Sequence, residues 1–393
     1  MLTIGCNAQV LKQIEAKVTT MPQKNYSTLN ELYSDLVSPI YNKEMIVWAF
    51  AYWIVNNIEY DVNYKHSSST LETVQRKKGV CQDYAELFRD LCSLASIDCN
   101  VTTGAARNHT NDIGLNINSN HAWNVVSFNG KSHLFDLTWA AGHVNEGVFH
   151  KKYRGRYMDA NPKTFVLDHY PEDPVWQLLP QPVQKKDFDN SPFIYDSYFD
   201  LNIKNHIPKA GVVFTNNFQL RFQSDSEITD CILFKWPLNT YGSTEGIPLS
   251  VKKSGNEYTV NCTIENPGAY RCEFSFNHQI VITYKIIPPS YKPKKPTNWD
   301  TGNPHRLIEA YTYAFYAMDY GLFRQLNPQT QVASLNSINN AKELNLSLTK
   351  WFGDFDNFYR YNNQNEIFIP VNNFEIVLQK SGNNYLFKQI IKK

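Results

Sequence analysis

"GVCQDYAELFRDL", residues 79–91, sets a cysteine just after a glycine–valine pair, at the head of an apolar-periodic run. Tyr84, Leu87, Phe88, Leu91, Cys92 and Ala95 recur at i, i+3, i+4, i+7, i+8 and i+11. That spacing predicts a helix of about four turns carrying one broad apolar stripe. Cys81 stands where this helix should begin. The unpaired N–H groups and dipole there stabilise a thiolate, the form in which a thiol attacks carbonyl carbon. The same position equally suits a cysteine acting as a small apolar core residue. A base beside the thiol would decide between the two readings.

Downstream of residue 98 the pattern changes to strands. "CNVTTGAA", "HAWNVVSF", "KSHLFDLTWA" and "KTFVL" alternate or run β-branched and aromatic. Asn129-Gly130 predicts a two-residue hairpin turn pairing Phe128 with Lys131. Counting outward, Trp123 faces Asp136, His121 faces Thr138, and His121, Trp123 and Asp136 share one sheet face. His121 and Asp136 become diagonal neighbours, close enough for a carboxylate to hold an imidazole nitrogen. One hairpin thus delivers a candidate base, His121, with a candidate orienting acid, Asp136. A buried carboxylate without a partner is costly, which argues that Asp136 has one. His133 is an alternative base, but its parity points it to the opposite face. Asp83 and Glu86 suit the first turns of a helix, and Glu59 and Asp61 read as structural.

Outward from this segment, residues 44–57, "EMIVWAFAYWIVNN", read as a buried helix followed by "IEYD". "TLETVQRKKG" reads as a short helix stopped by Gly79. Helices followed by an antiparallel sheet argue an α+β domain. The Pro-rich 169–184 reads as the exit from it. Short strand-like runs over 210–286 follow at the spacing of a β-sandwich, "PPSYKPKKPTNW" is a semi-rigid linker, and the last segment is helical and then strand-like. The expected organisation is a remnant of an export signal with an N-terminal segment at 1–25, an α+β domain at 26–185 and a sandwich at 200–287. A linker at 288–299 and a small mixed region at 300–393 complete it.

The 393 residues carry a net charge of +1, and 42% are apolar, which fits folded domains and gives no electrostatic reason for nucleic acid or an anionic membrane as partner. Nor does any stretch reach 18 apolar residues, so no spanning helix is expected. Seven cysteines, an odd count, leave at least one thiol free, and pairing among Cys92, Cys99, Cys231, Cys262 and Cys272 stays open. No CxxC pair occurs, which argues against a structural zinc site, and no metal or cofactor is expected. Near the start, Ile4-Gly5-Cys6 partly matches a lipoprotein box, and Asn7-Ala8-Gln9 resembles a signal-peptidase cut. Both need an upstream apolar segment. With one, the protein is expected to be exported, with Cys6 available to a lipid; with Met1 as the true start, it is cytoplasmic.

"GVCQDYAELFRDL", "HAWNVV" and "HLFDLTW" together resemble the transglutaminase-like superfamily. In particular they resemble the branch containing the kyphoscoliosis peptidase and bacterial relatives, and "AYWIVNNIEYD" resembles that branch's preceding helix. The resemblance covers about a third of the chain, residues 44–178. It implies a papain-like fold, with Cys81 as nucleophile, His121 as general base and acid, and Asp136 orienting the imidazole. It also implies Ig-like β modules after the catalytic domain. The implied activity is acyl transfer by a Cys-His-Asp triad, as a peptidase or amidase on protein or peptide substrates. The Cys81 N–H is one expected oxyanion donor, with Gln82, Trp48 and Trp53 as candidates for the second. Two alternatives are a catalytically silent protein- or glycan-binding module and a cross-linking transglutaminase. The acidic clusters of calcium-dependent transglutaminases are not found here.

Overall fold

Ten successive residues, Ile46 to Val55, are buried in one helix, which makes it the spine around which the first part of the chain packs. The computed structural model describes residues 8–21, 24–40, 42–114, 117–145, 147–237, 244–264, 270–289, 304–328, 331, 334–350, 360–362, 366–371, 374–382 and 384–392. Cys6 and most of the expected linker, 290–299, lie outside them. The chain divides into two units, 1–106 with 117–184, and 107–116 with 185–393.

The first unit opens with helices α1 (Ala8–Thr19), α2 (Leu29–Val37) and α3 (Lys43–Asn57), the spine helix. The Asn42 side chain caps α3 by accepting from the Glu44 and Met45 N–H groups. Ile14 and Val18 of α1 join the same core, although residues 8–19 fall in the stretch read as a remnant of an export signal. Strand β1 (Glu59–Tyr60) pairs in parallel with β2 (Lys78–Gly79), and α4 (Thr70–Arg76) lies between them in sequence. Helix α4 is not ended by Gly79: Lys77 adopts the left-handed conformation, φ 52°, and terminates it. Gly79 has another task. A Cβ there would lie 2.6 Å from the Cβ of Asp83, the acid that caps the next helix, α5 (Cys81–Leu94).

Five antiparallel strands form the sheet behind α5, in the order β8-β5-β4-β3-β9. They are β3 (Asp98–Ala106), β4 (His121–Phe128), β5 (Lys131–Phe135), β8 (Met158–Ala160) and β9 (His169–Pro171). A short hairpin, β6 (Gly142–Asn145) with β7 (Val148–Lys151), separates β5 from β8. Phe128 pairs with Lys131 across Asn129 and Gly130, whose positive φ values of 50° and 73° are those of the two-residue turn. Beyond Phe135 the expected strand stops. Asp136 caps helix α6 (Leu137–Ala141) by accepting from the Trp139 N–H, so Thr138 is helical and does not face His121. His121 instead pairs with Gly104 of β3.

One further expectation fails for a local reason, and one segment is more structured than its composition suggests. "KTFVL" begins inside helix α7 (Pro162–Phe165), because Asn161 caps it and Pro162 presets its first turn. The segment read as the domain exit begins with β9, which pairs with β3 through Ala106 and His169.

In the second unit two sheets form a sandwich. The six-stranded sheet contains Cys231–Pro237, Tyr270–Phe276 and Gln279–Ile287; the four-stranded sheet contains Asn217–Ser224 and Glu257–Thr263. Phe218 meets Phe274 and Tyr284 between the sheets, and Phe222 meets Phe276. The loop 107–116 belongs to this unit: the Arg107 guanidinium donates to the carbonyls of Phe188 and Ser191. Beyond residue 304, helices Pro304–Ala317, Tyr320–Leu326 and Ala341–Lys350 accompany a four-stranded antiparallel sheet, Arg360–Asn362 to Asn384–Lys392. The six described cysteines are free thiols. Among the described residues, no helix is long and apolar enough to cross a membrane.

Candidate active site

Helix α5 buries Tyr84, Leu87, Phe88, Leu91 and Cys92, the expected stripe. Its start is organised by Asp83, whose carboxylate accepts from the Val80 N–H at 2.8 Å and the Ser67 N–H at 3.1 Å. His66 adds an ion-pair contact to the same carboxylate at 2.5 Å. Val80, at the cap position, offers no side-chain acceptor to the first turn, where Cys81 sits. Two polar ties hold α5 in place. Tyr84 donates to the Ile58 carbonyl at 2.7 Å, and buried Asn124 of β4 donates to the Ala85 carbonyl at 2.9 Å. The second tie fixes the helix bearing Cys81 against the strand bearing His121.

The Cys81 thiol lies beside His121 and the Ala122 N–H, close enough for both to stabilise its charged form. His121 Nε2 lies 2.8 Å from Asp136 Oδ2, so Nδ1 is the ring nitrogen left for the thiol. Asp136 is fully buried, and its Oδ1 accepts from the Trp139 N–H at 3.0 Å. The indole rings of Trp123 and Trp139 flank the His121 imidazole at 6.0 and 5.6 Å between centroids. The structure therefore brings Cys81, His121 and Asp136 together.

The electrostatics follow from this burial. Desolvation pushes the Cys81 thiol up, but the hydrogen bond and charge of His121 with the Ala122 N–H outweigh it, and the net shift is downward. Desolvation alone would lower His121, yet the charge and hydrogen bond of Asp136, with Cys81, raise it to about 10. Burial opposes ionisation of Asp136, and the two imidazoles it accepts from, His121 and His169, hold its carboxyl well below the usual range. Such a site favours a thiolate beside an imidazolium.

The remaining candidates are elsewhere engaged. Gln82 donates its amide to Glu86 at 2.8 Å. Trp48 is packed against Tyr52 and edge-on to Phe135 in the helix–sheet core. Trp53 lines a cavity of about 180 Å³ with Val18, Tyr26, Asn56 and Val74. None of the triad residues lines that cavity. His133 stacks on Phe128 at 3.7 Å and pairs with Asp159 at 2.8 Å, on the face predicted for it.

The sequence reading missed His169. This fully buried residue on β9 places Nε2 at 3.0 Å from Asp136 Oδ2 and Nδ1 at 2.6 Å from Asp168 Oδ1. His121, Asp136 and His169 bring ligand-type atoms within 4.8 Å of one another, a spacing that a metal ion also requires. Both imidazole Nε2 atoms already bond directly to the same carboxylate oxygen, so the cluster reads as a hydrogen-bonded chain. Its one sequence signal is the dipeptide Asp168-His169 at the start of the Pro-rich run.

A thiol on a helix start, an imidazole and an orienting carboxylate define the cysteine-nucleophile class. Residues 30–137 match the model of the transglutaminase-like superfamily, and the chain carries a domain of that superfamily. Its relatives identify the branch. The chain is 28% identical over 261 residues to kyphoscoliosis peptidase of Mus musculus, covering 64% of this chain and 39% of that protein. It is 29% identical over 243 residues to the Homo sapiens protein of the same name, covering 60% and 36%. Hillarin of Drosophila melanogaster is 28% identical over 243 residues, covering 55% and 29%. The matched region thus spans less than half the length of each relative.

Proposed function

We propose that the first unit is a cysteine-nucleophile acyl-transfer enzyme, a peptidase or amidase acting on protein or peptide substrates. The observation that carries this reading is the thiol of Cys81 against His121, whose other ring nitrogen lies 2.8 Å from Asp136. The name "peptidase" borne by two relatives supports the substrate class.

In this reading His121 takes the thiol proton, and the thiolate attacks the substrate carbonyl carbon. Backbone N–H groups at the start of α5, that of Cys81 first, face the developing oxyanion. His121 as imidazolium then protonates the leaving amine, and the C–N bond breaks to leave a thioester. Water, deprotonated by His121, attacks the thioester, and the thiol is released with its proton restored. No step calls on a metal or organic cofactor. The sandwich is read as an Ig-like module that binds or spaces.

The test incubates the full chain and Cys81→Ala with a peptide library in the presence of a primary amine, with products read by mass spectrometry. Cleavage or deamidation by the wild type, abolished in Cys81→Ala, is the expected result. Amine incorporation in place of hydrolysis would reassign the site to cross-linking. Identical product spectra for the two chains would support a silent binding module.

A further inference from the structure

Behind the candidate triad lies a second, buried acid–imidazole pair, and we propose that His169, held by Asp168, is a positioning residue for Asp136. This rests on the acyl-transfer reading above and extends it by two residues. The chain runs Cys81, His121, Asp136, His169, Asp168. Its links after the thiol measure 2.8, 3.0 and 2.6 Å.

Three features set His169 apart from a histidine that merely fills the core. Both ring nitrogens face carboxylate oxygens, so the ring is gripped at both ends. One of its acceptors is the same Asp136 Oδ2 that His121 uses, so the two imidazoles share one oxygen. The outer acid is anchored in turn: Asp168 Oδ2 accepts from Arg156 at 2.8 Å and from the Tyr157 hydroxyl at 3.0 Å. Packing fixes the ring. Phe165 stacks on His169 at 4.1 Å, and Trp139 and Trp123 meet it edge-on at 4.5 and 5.2 Å.

The consequence falls on Asp136. A carboxylate with no exposure to water stays ionised only if donors and positive charge replace the lost hydration. His121 supplies one donor to Oδ2 but must give up its proton during the reaction. At that moment His169 is the donor that remains on the oxygen. The chain therefore holds Asp136 as an aimed acceptor through both states of His121. The other titratable or charged groups around it are Tyr60 near Cys81, Tyr84 near Asp136, and Arg154, Arg156 and Tyr157 around Trp139 and Asp168.

The readout is the pH midpoint of iodoacetamide alkylation at Cys81 in the full chain, followed by peptide mass mapping. Alkylation rate tracks the thiolate fraction and needs no known substrate. With His169→Phe, Asp136 loses one donor on Oδ2 and protonates more readily, its hold on His121 weakens, and the midpoint rises by about one pH unit. His169→Gln restores a donor toward Asp136 and gives a smaller rise. Asp168→Asn, nearly isosteric, also raises the midpoint, and it keeps the question measurable if the phenylalanine variant does not fold. Amide hydrogen exchange in α5 and β4 checks that each variant keeps the fold. A wild-type midpoint at the value of an ordinary thiol overturns the acyl-transfer reading and this inference with it. A depressed wild-type midpoint that folded His169→Phe or Asp168→Asn leaves unmoved overturns this inference alone.

Discussion

At the scale of single residues, the candidate site is an exchange of hydration for fixed partners. Cys81 is half-buried, yet its thiol is shifted downward because His121 and the Ala122 N–H stand where water would. Asp136 does two jobs from one carboxylate, capping α6 with Oδ1 and holding His121 with Oδ2. Asp136→Asn keeps the shape but supplies an amide toward a nitrogen that must itself donate. Turnover of a cleaved peptide should fall roughly 10³- to 10⁴-fold, the scale of loss when the orienting acid of a triad becomes an amide. Steady-state kinetics on the folded variant checks this, and a loss below tenfold would remove Asp136 from the mechanism. Cys81 and His121 were legible because a cysteine at a helix start and a hairpin with a defined turn each fix position locally; Asp136, next after the hairpin, was placed correctly although it caps α6 rather than continuing the strand. His169 was not. It lies 33 residues beyond Asp136, and only the pairing of β9 with β3 brings it back.

At the scale of elements, the long and strongly patterned pieces were readable: α3, α5, β3, β4 and the turn at Asn129-Gly130. Three of the misreadings share a cause, because each concerns a piece of seven residues or fewer whose start or end is set by a cap. Asp136 turns the chain into α6, Asn161-Pro162 starts α7, and Lys77 rather than Gly79 ends α4. Strand β9, three residues long, carries too little pattern to be seen at all. Its docking rests on a glycine. A Cβ at Gly104 would lie 2.2 Å from the Tyr170 carbonyl oxygen and 2.6 Å from the Trp123 ring. Gly104→Ala should therefore push β9 from β3 and carry His169 away from Asp136, at a cost of about 1–3 kcal/mol. Urea unfolding should report the loss, together with faster amide exchange in residues 169–171. Unchanged exchange there would mean that β9 is not held by this close approach.

At the scale of the whole molecule, the acids and imidazole of the site link stability to pH. His121 is raised from 6.5 to about 10, so its contribution is complete below about 6.5 and is lost as pH rises through 10. Asp136 and Asp168 are lowered from 3.8, so theirs is complete above that value and is lost as pH falls below it. The first unit should be most stable between about pH 4 and 6.5. Hydrogen exchange in α5 and β4 should quicken on the alkaline side, and His121→Gln should flatten that slope. An alkaline slope unchanged by His121→Gln would show that the imidazole does not carry it. The overall order, an α+β unit, then a sandwich, then a mixed helix-and-strand module, follows from the change of period along the sequence. The assignment of residues 107–116 to the second unit does not, because it depends on buried Arg107 reaching carbonyls more than eighty positions away.

The central claim is that Cys81 rests as a thiolate beside a protonated His121. The ultraviolet thiolate absorbance of the wild type, minus that of Cys81→Ala, measures this without a substrate. The other described thiols are buried and common to both chains, so they cancel. The account predicts a difference spectrum whose pH midpoint lies below that of an ordinary thiol and returns toward it in His121→Ala. Absorbance that rises only at the midpoint of a free thiol, in wild type and His121→Ala alike, would contradict it.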